Sequence, residues 1–329
     1  MNLEKSIKPK LKLLKTTEHK FSRDCIDEFY DCIKQLEGDR VILKTVGYLR
    51  IKVYLIGIFR RLVSFTQRKL SIPLTNSVNF SAQMGPDLKM CLPYFFYSND
   101  NFIYMFDGWP RFHDELGKLF DLLNVKAVFF SSRDVVTKYQ ESVLSKCKAY
   151  WIPEGINATE YTFEEYRNKT IDVLEFGRPY KWYHEQIADL LAASGRKHIF
   201  STIDQPILFE TKAAFKNALA TAKISICVPS SITHPERAED ISTMTLRYLQ
   251  CMASKCLIVG IMPEEMNSLF DYKPMIEIDV ENPGSQILEI LDNYDSYHDL
   301  IERNYLVVRA KHQWQNRWKE IANIISTSI

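Results

Sequence analysis

Arg178 and Lys181 stand at the end of a short apolar run, Ile171-Asp-Val-Leu-Glu-Phe-Gly177, and a helical pattern follows from Lys181 to about Ser194. Strand, turn and helix in that order put both cations at a helix N-terminus. Unpaired amide donors and the summed backbone dipole favour an anion there. A guanidinium and an ammonium in the same place suit a phosphate or diphosphate. On these residues alone, two ordinary solvated surface charges are the better account. His184 lies one turn beyond Lys181, within reach of the same ligand, whereas His198 and His234 read as structural or solvated.

A second constellation follows the predicted strand Ile224–Val228. The polar loop 229–240 offers Ser230, Ser231 and Glu239, and the pattern then predicts a helix over Thr243–Ser254. On it Thr243, Arg247, Gln250 and Ser254 recur at i, i+4, i+7 and i+11 as one polar stripe, with Thr245 beside its start. Hydroxyls, a guanidinium and an amide suit phosphate oxygens and a ribose diol. Any solvent-facing helix side looks similar. The long polar loop before it, and Arg178 and Lys181 at another strand end, tip the balance towards a ligand. In the first half, Phe106-Asp107-Gly-Trp-Pro-Arg-Phe-His113 leaves a strand and enters a helix, which makes Asp107 and His113 the catalytic candidates. Each alone fits a helix cap or a surface loop at least as well. Ser131, Ser132 and Arg133 open the next helix with the same ambiguity, and Asp279-Val-Glu281 reads as a cap rather than a metal ligand pair.

These residues need strand ends and helix starts to hold them. After a lead-in of helix or irregular chain, with Asp24–Leu36 at helical spacing, and a loop over 71–89, strands are predicted at Tyr94–Tyr97, Phe102–Phe106, Ala127–Phe130 and Ala149–Ile152. Helices are predicted at Arg111–Leu123 and Arg133–Leu144. The second half repeats the rhythm, with strands at Asp172–Phe176, His198–Ser201, Ile224–Val228, Cys256–Val259 and Met275–Ile278. Helices alternate with them at Lys181–Ala193, Glu210–Ala222, Thr243–Ser254 and Pro283–Asp292. A last helix runs over Glu302–Ile325. Short apolar strands alternating with helices imply parallel sheets covered on both faces. The expected fold is α/β, two doubly wound Rossmann-like domains facing each other across a cleft that receives the carboxyl ends of the strands. The expected boundaries are an acceptor-side domain over 1–155, a donor-binding domain over 156–305, and a helix over 306–329 returning to the first.

Length supports two domains, since 329 residues exceed what one core usually serves. Hydrophobic content of 46% and charged content of 25% fit a globular protein. The seven cysteines show no C-x-x-C pair and no Cys/His ligand spacing, which suggests reduced thiols in a cytoplasmic protein. No secretory h-region follows the start, so export is not expected. The net charge of +1 hides an asymmetry: residues 1–70 carry 16 Lys/Arg against 8 Asp/Glu, a net +8, and leave −7 for the remainder. Much of that excess brackets the apolar run Val53–Phe59 within residues 50–69, too short for the roughly 20 residues of a spanning helix. Two roles fit it: a core element with charged ends, slightly favoured, or an interfacial segment on an anionic membrane surface. Nucleic acid is not an expected partner, because the rest of the chain is acidic and carries no recognition motif.

The order of four strings resembles the group 1 glycosyltransferases of GT-B fold. They are Trp151-Ile-Pro-Glu-Gly155-Ile, Val173-Leu-Glu-Phe-Gly-Arg178 with Lys181, Val228-Pro-Ser-Ser, and Tyr248-Leu-Gln-Cys-Met-Ala253-Ser-Lys-Cys-Leu-Ile-Val-Gly260. The corresponding family strings are P-x-G-(I/V), G-R…K, and E-A-M-A-x-G-x-P-V-V. The likeness covers about residues 95–325 and rests on order and spacing more than on any one motif. It implies transfer of a sugar from a nucleotide-sugar donor to a glycan or lipid-linked acceptor, with retention, without a cofactor or metal, in cell-surface polysaccharide synthesis. It assigns Arg178 and Lys181 to the diphosphate and puts Gln250 where the family carries a ribose-binding glutamate. A His-containing turn like 106–113 belongs near the donor sugar. The family's E-x7-E signature falls on Ser242 and Gln250, which leaves Glu239 or Asp240 to contact the donor sugar. No carboxylate nucleophile stands out, so a front-face displacement is expected. A sugar-nucleotide epimerase or a silent nucleotide-binding module of the same fold is the alternative. The basic first domain fits a cytoplasmic protein peripheral to the inner membrane face.

Overall fold

The computed structural model describes residues 9–16, 24–46, 75–86, 88–91, 94–201 and 208–329, and the basic run at 50–69 lies outside them. The chain forms two compact units. The first extends to Pro153 and takes in Arg317–Ile329, and the second is Glu154–Asn316. Among the described residues no helix is long and apolar enough to cross a membrane. The seven cysteines are free thiols.

The first unit holds a six-stranded parallel sheet in the order β2-β1-β3-β4-β5-β6. Its strands are β1 Leu11–Thr16, β2 Val41–Val46, β3 Val78–Gln83, β4 Asn101–Met105, β5 Val125–Phe130 and β6 Lys148–Trp151. Helices α1 (Asp24–Glu37), α2 (His113–Leu122) and α3 (Arg133–Ser142) accompany them. The lead-in expected over the first 40 residues is therefore partly wrong, because β1 lies within it as a sheet strand ahead of α1. Leu11, Leu13 and Leu14 are fully buried, while Lys12 and Lys15 break the apolar run that a buried strand usually displays.

Strand β3 falls within the stretch expected to be a loop, and for a clear reason. Its Asn79, Ser81 and Gln83 are buried polar groups whose donors are taken up inside the fold. Asn79 donates to Asn101 Oδ1 at 2.9 Å, and Ser81 donates to the Leu14 carbonyl at 3.2 Å. The Tyr30 hydroxyl donates to that same carbonyl at 2.8 Å and accepts from the Ala82 amide at 2.7 Å. Polar side chains paired this way are compatible with a sheet interior, although hydropathy marks them as loop. The strand expected at Tyr94–Tyr97 is instead a 3-10 turn, Tyr94–Phe96. Its carbonyls at Tyr94 and Phe95 accept from the Asn79 and Asn101 amides rather than from a neighbouring strand.

The second unit holds a five-stranded parallel sheet in the order β11-β10-β9-β7-β8. The strands are β7 Ile171–Leu174, β8 His198–Ile199, β9 Ala222–Cys227, β10 Leu257–Gly260 and β11 Ile276–Glu277. The helices are α4 (Lys181–Ala193), α5 (Lys212–Thr221), α6 (Leu246–Ala253), α7 (Pro283–Asp292) and α8 (His298–Lys311). Since β7 comes first in this unit and has β8 on one side and β9 on the other, the strand order reverses between β7 and β9. Open α/β sheets bind ligands at the carboxyl ends beside such a reversal.

The single last helix expected over Glu302–Ile325 is two helices, α8 and α9 (Trp314–Ser328). The chain breaks at His312 and Gln313, where Ile156 accepts from the Trp314 amide at 3.2 Å and donates to the His312 carbonyl at 3.1 Å. Gly155 permits this approach, because a Cβ there would sit 2.9 Å from the Trp314 nitrogen. From Arg317 onward α9 belongs to the first unit, where the Trp318 indole donates to Glu37 at 2.9 Å and packs edge-on against Phe29 and Phe80.

Candidate functional site

The turn after β7 is built around Gly177, whose φ of +76° is in the left-handed region that glycine enters at no steric cost. The absent side chain matters as well. A Cβ at Gly177 would collide with the Arg247 guanidinium, so Arg247 lies directly against the turn that carries Arg178. Arg247 also stacks over the Phe176 ring, 5.5 Å from its centroid, a favourable seat for a guanidinium. His234, from the loop after β9, completes the group. Its pKa is lowered, first by burial and then by the Arg178 charge, with smaller contributions from Arg237 and Arg247. Side chains from the β7 turn, the β9 loop and α6 thus converge beside the strand reversal. The arrangement concentrates positive charge where an oxyanion can be received.

Gly177→Ala tests the packing of this turn. The strained φ is expected to cost about 1 kcal/mol, and the displaced Arg247 side chain should weaken binding of inorganic pyrophosphate about tenfold by calorimetry. Unchanged stability and affinity would refute the contact.

Other candidates occupy different situations. Lys181 begins α4 with an 86% exposed side chain, paired only loosely with Glu185 at 3.7 Å. Arg178 is exposed overall yet close enough to act on His234. His184 is engaged by a carboxylate: its Nδ1 is 2.8 Å from Glu175 Oε1. Ser230 and Ser231 are half-buried in a helical turn, Ser230–Thr233, and the Ser230 carbonyl accepts from the His234 amide at 2.7 Å. Glu239 is exposed, with a φ of +53° at the end of the next helical turn.

The polar stripe on one long helix does not form. Helix α6 starts at Leu246, with Thr245 as its N-cap residue, so Thr243 lies in the preceding loop. There Thr243 is buried and donates to Glu265 Oε1 at 2.8 Å, while the Met244 amide donates to the same oxygen at 2.7 Å. Glu265 is itself fully buried, and its carboxylate holds the loop in shape. Ser254 is buried at the far end of α6, and Gln250 donates its amide to the Tyr161 hydroxyl at 3.0 Å. Arg247 alone of the four reaches the Gly177 turn. The first amide of α6, at Leu246, donates to Glu154 Oε2 at 2.6 Å, so a buried carboxylate already sits at this helix N-terminus.

In the first unit Asp107 is half-buried in the turn after β4. His113 is buried at the start of α2, 3.0 Å from the Gly108 carbonyl through Nε2 and edge-on to Tyr139. His113 therefore braces the turn carrying Asp107. The Asp279 carboxylate accepts from the Glu281 and Asn282 amides at 2.9 and 3.2 Å, closing a local turn ahead of α7.

Three carboxylates that shape the second unit are not singled out in the sequence, Glu154, Glu175 and Glu265, and His234 reads there as structural or solvated. An acid at the end of an apolar strand run, as at Glu175, is a usable signal. Glu154 and Glu265 lie in ordinary loop sequence, and only the fold brings them to the amides they hold.

No known family's sequence profile matches the chain, nor does any curated protein sequence. Solved structures do. HepE of Anabaena in complex with UDP and glucose superposes with a TM-score of 0.61 at 10% identity, over 97% of this chain and all of that one. The sucrose-phosphate synthase of Thermosynechococcus elongatus gives 0.60 at 10%, covering 97% and 98%. A glycosyltransferase from Rickettsia africae gives 0.56 at 10%, again covering 97% and 98%. At these identities the likeness establishes the fold alone: two parallel-sheet α/β units, the GT-B fold.

Proposed function

We propose that this chain transfers a sugar from a nucleotide-sugar donor to a hydroxyl acceptor, with the second unit holding the donor. The observation that carries this reading is the approach of Arg247 to the Gly177–Arg178 turn beside His234, at the reversal of strand order. Arg178 and Arg247 receive the diphosphate, and Lys181 adds a more distant charge. Glu265 fixes the loop ahead of α6 by holding Thr243 and Met244, which sets where Arg247 enters the helix. HepE has been solved with UDP and glucose and with UDP-glucose, which supports a uridine donor as the first to try.

In the reaction the bond between the anomeric carbon and the diphosphate oxygen breaks as the acceptor oxygen bonds to that carbon. The acceptor proton passes to the leaving phosphate on the same face, which gives retention and needs no metal. Fixed cations stabilise the departing charge. Asp107, on the turn braced by His113, polarises the acceptor hydroxyl. The acceptor is a glycan or lipid-linked saccharide of surface polysaccharide synthesis, reached by a protein peripheral to the inner membrane face.

Thermal stabilisation across a panel of nucleotide sugars, followed by release of free nucleotide with glycan acceptors, tests the reading. A ligand at a hundred times its Kd adds about 2.7 kcal/mol of stability, a clear rise in Tm. Absence of stabilisation by every donor would defeat it. A silent binding module is the second reading. It is favoured by the engagement of Gln250 with Tyr161 and by the Glu154 carboxylate at the start of α6. Nucleotide binding without turnover would select it.

A pH signature follows from His234. Burial and then the neighbouring guanidinium of Arg178 hold its pKa below the ordinary histidine value. A bound diphosphate offsets those cations, so the pKa should rise and UDP binding should take up protons below the usual histidine range. Calorimetry in buffers of different ionisation enthalpy reads the uptake, which His234→Asn should abolish.

A further inference from the structure

We infer that Glu175, His184 and His198 form a binding site for a divalent transition-metal cation of the zinc class, at the end of β7. The inference rests on the second unit's geometry and not on the transfer reading. Three elements supply one ligand each: Glu175 from the chain leaving β7, His198 from β8 and His184 from α4. His184 Nδ1 and His198 Nε2 both lie 2.8 Å from the same oxygen, Glu175 Oε1. All three ligand atoms fall within 4.8 Å of one another.

Hydrogen bonding alone serves these groups poorly. Both imidazoles crowd one carboxylate oxygen, while Glu175 Oε2 and His198 Nδ1 are buried without a partner. The Glu175 and His198 side chains are only 4% and 5% exposed, so water reaches neither freely. A buried carboxylate normally shares its donors between both oxygens. A cation lying among the three atoms would take two imidazole lone pairs and the carboxylate together. Zinc bonds such ligands at about 2.0–2.2 Å in tetrahedral geometry, which sets ligand atoms a little over 3 Å apart. The nitrogen–oxygen pairs need open by only a few tenths of an ångström.

The surroundings fit the same role. The Phe200 ring stands 4.4 and 4.6 Å from the two imidazole rings and supplies an apolar wall. The His184 side chain is 22% exposed, which leaves an entry path and a fourth position for water. Two imidazoles and a carboxylate select zinc, cobalt or iron rather than calcium or magnesium. Such an ion would tie β7, β8 and α4 together. Glu175 is two residues before Gly177, so the tie fixes the turn from which Arg178 projects.

The test uses the full chain, stripped with a chelator and titrated with Co2+. One Co2+ per chain is expected, with the visible ligand-field absorption of a four-coordinate nitrogen–oxygen site and no thiolate charge-transfer band. Zn2+ should displace it and raise the Tm. His198→Gln and Glu175→Gln should each weaken Co2+ binding by more than about a hundredfold, with far-ultraviolet circular dichroism checking that they fold. A thiolate band would assign the ion to cysteines and overturn the proposal. So would sub-stoichiometric binding to the native chain, or an unchanged spectrum in His198→Gln. If the variants do not fold, the native chain's stoichiometry and spectrum decide alone.

Discussion

Alanine at Arg178 or at Arg247 is expected to lower kcat/KM for the donor by about a hundredfold each, with Lys181→Ala nearer tenfold. The ranking comes from position. Arg247 is wedged against the Gly177 turn and stacked on Phe176, so its guanidinium is ordered before any ligand arrives. A pre-placed cation stabilises a departing diphosphate without reorganising. Lys181 projects into solvent beside Glu185, where screening reduces its field. Arg178 and Arg247 act on one anion, so their losses should not add: the double variant should fall short of the product of the singles. Steady-state kinetics on the two singles and the double reads this. Additive losses, or a Lys181 effect exceeding that of Arg247, would remove the pair from the leaving-group role.

The hydrophobic rhythm of the second half located β7, β9, β10, α4 and α7 to within a few residues, because those strands are short, mostly apolar runs between helices with one apolar side. The same logic misplaced β3, whose Asn79, Ser81 and Gln83 are buried by virtue of partners far away in sequence. Hydropathy cannot register an asparagine satisfied by Asn101 and Tyr94. At the candidate site, the turn that carries Arg178 was legible because Gly177 and a helix start bracket it. The stripe Thr243–Ser254 misled, since periodicity alone does not reveal that Glu265 captures Thr243 and Met244 ahead of the helix. Whether a polar side chain is spent inside the fold or left for a ligand depends on long-range partners.

Lys169 makes the same point with the largest expected loss of stability. Lys169 is buried, and its ammonium donates to the carbonyls of Ala220, Ala222 and Ser254 at 3.0, 2.9 and 3.1 Å. Ala220 closes α5 and Ser254 closes α6, so one side chain gathers carbonyls at two helix C-termini, where orphan acceptors and the negative dipole end accumulate. Burial pulls its pKa below the ordinary lysine value, yet all three N–H donors are used. Lys169→Met keeps most of the volume and deletes every donor. Breaking a buried charge arrangement from one side costs about 3–5 kcal/mol, which for a chain of this size lowers the Tm by on the order of 10 °C. The exposed Lys181→Met should stay within about 0.5 kcal/mol. Chemical denaturation of both variants, with the slope compared to the native chain, separates the two. A Lys169→Met loss below about 1 kcal/mol would mean that water, not the ammonium, satisfies those helix ends.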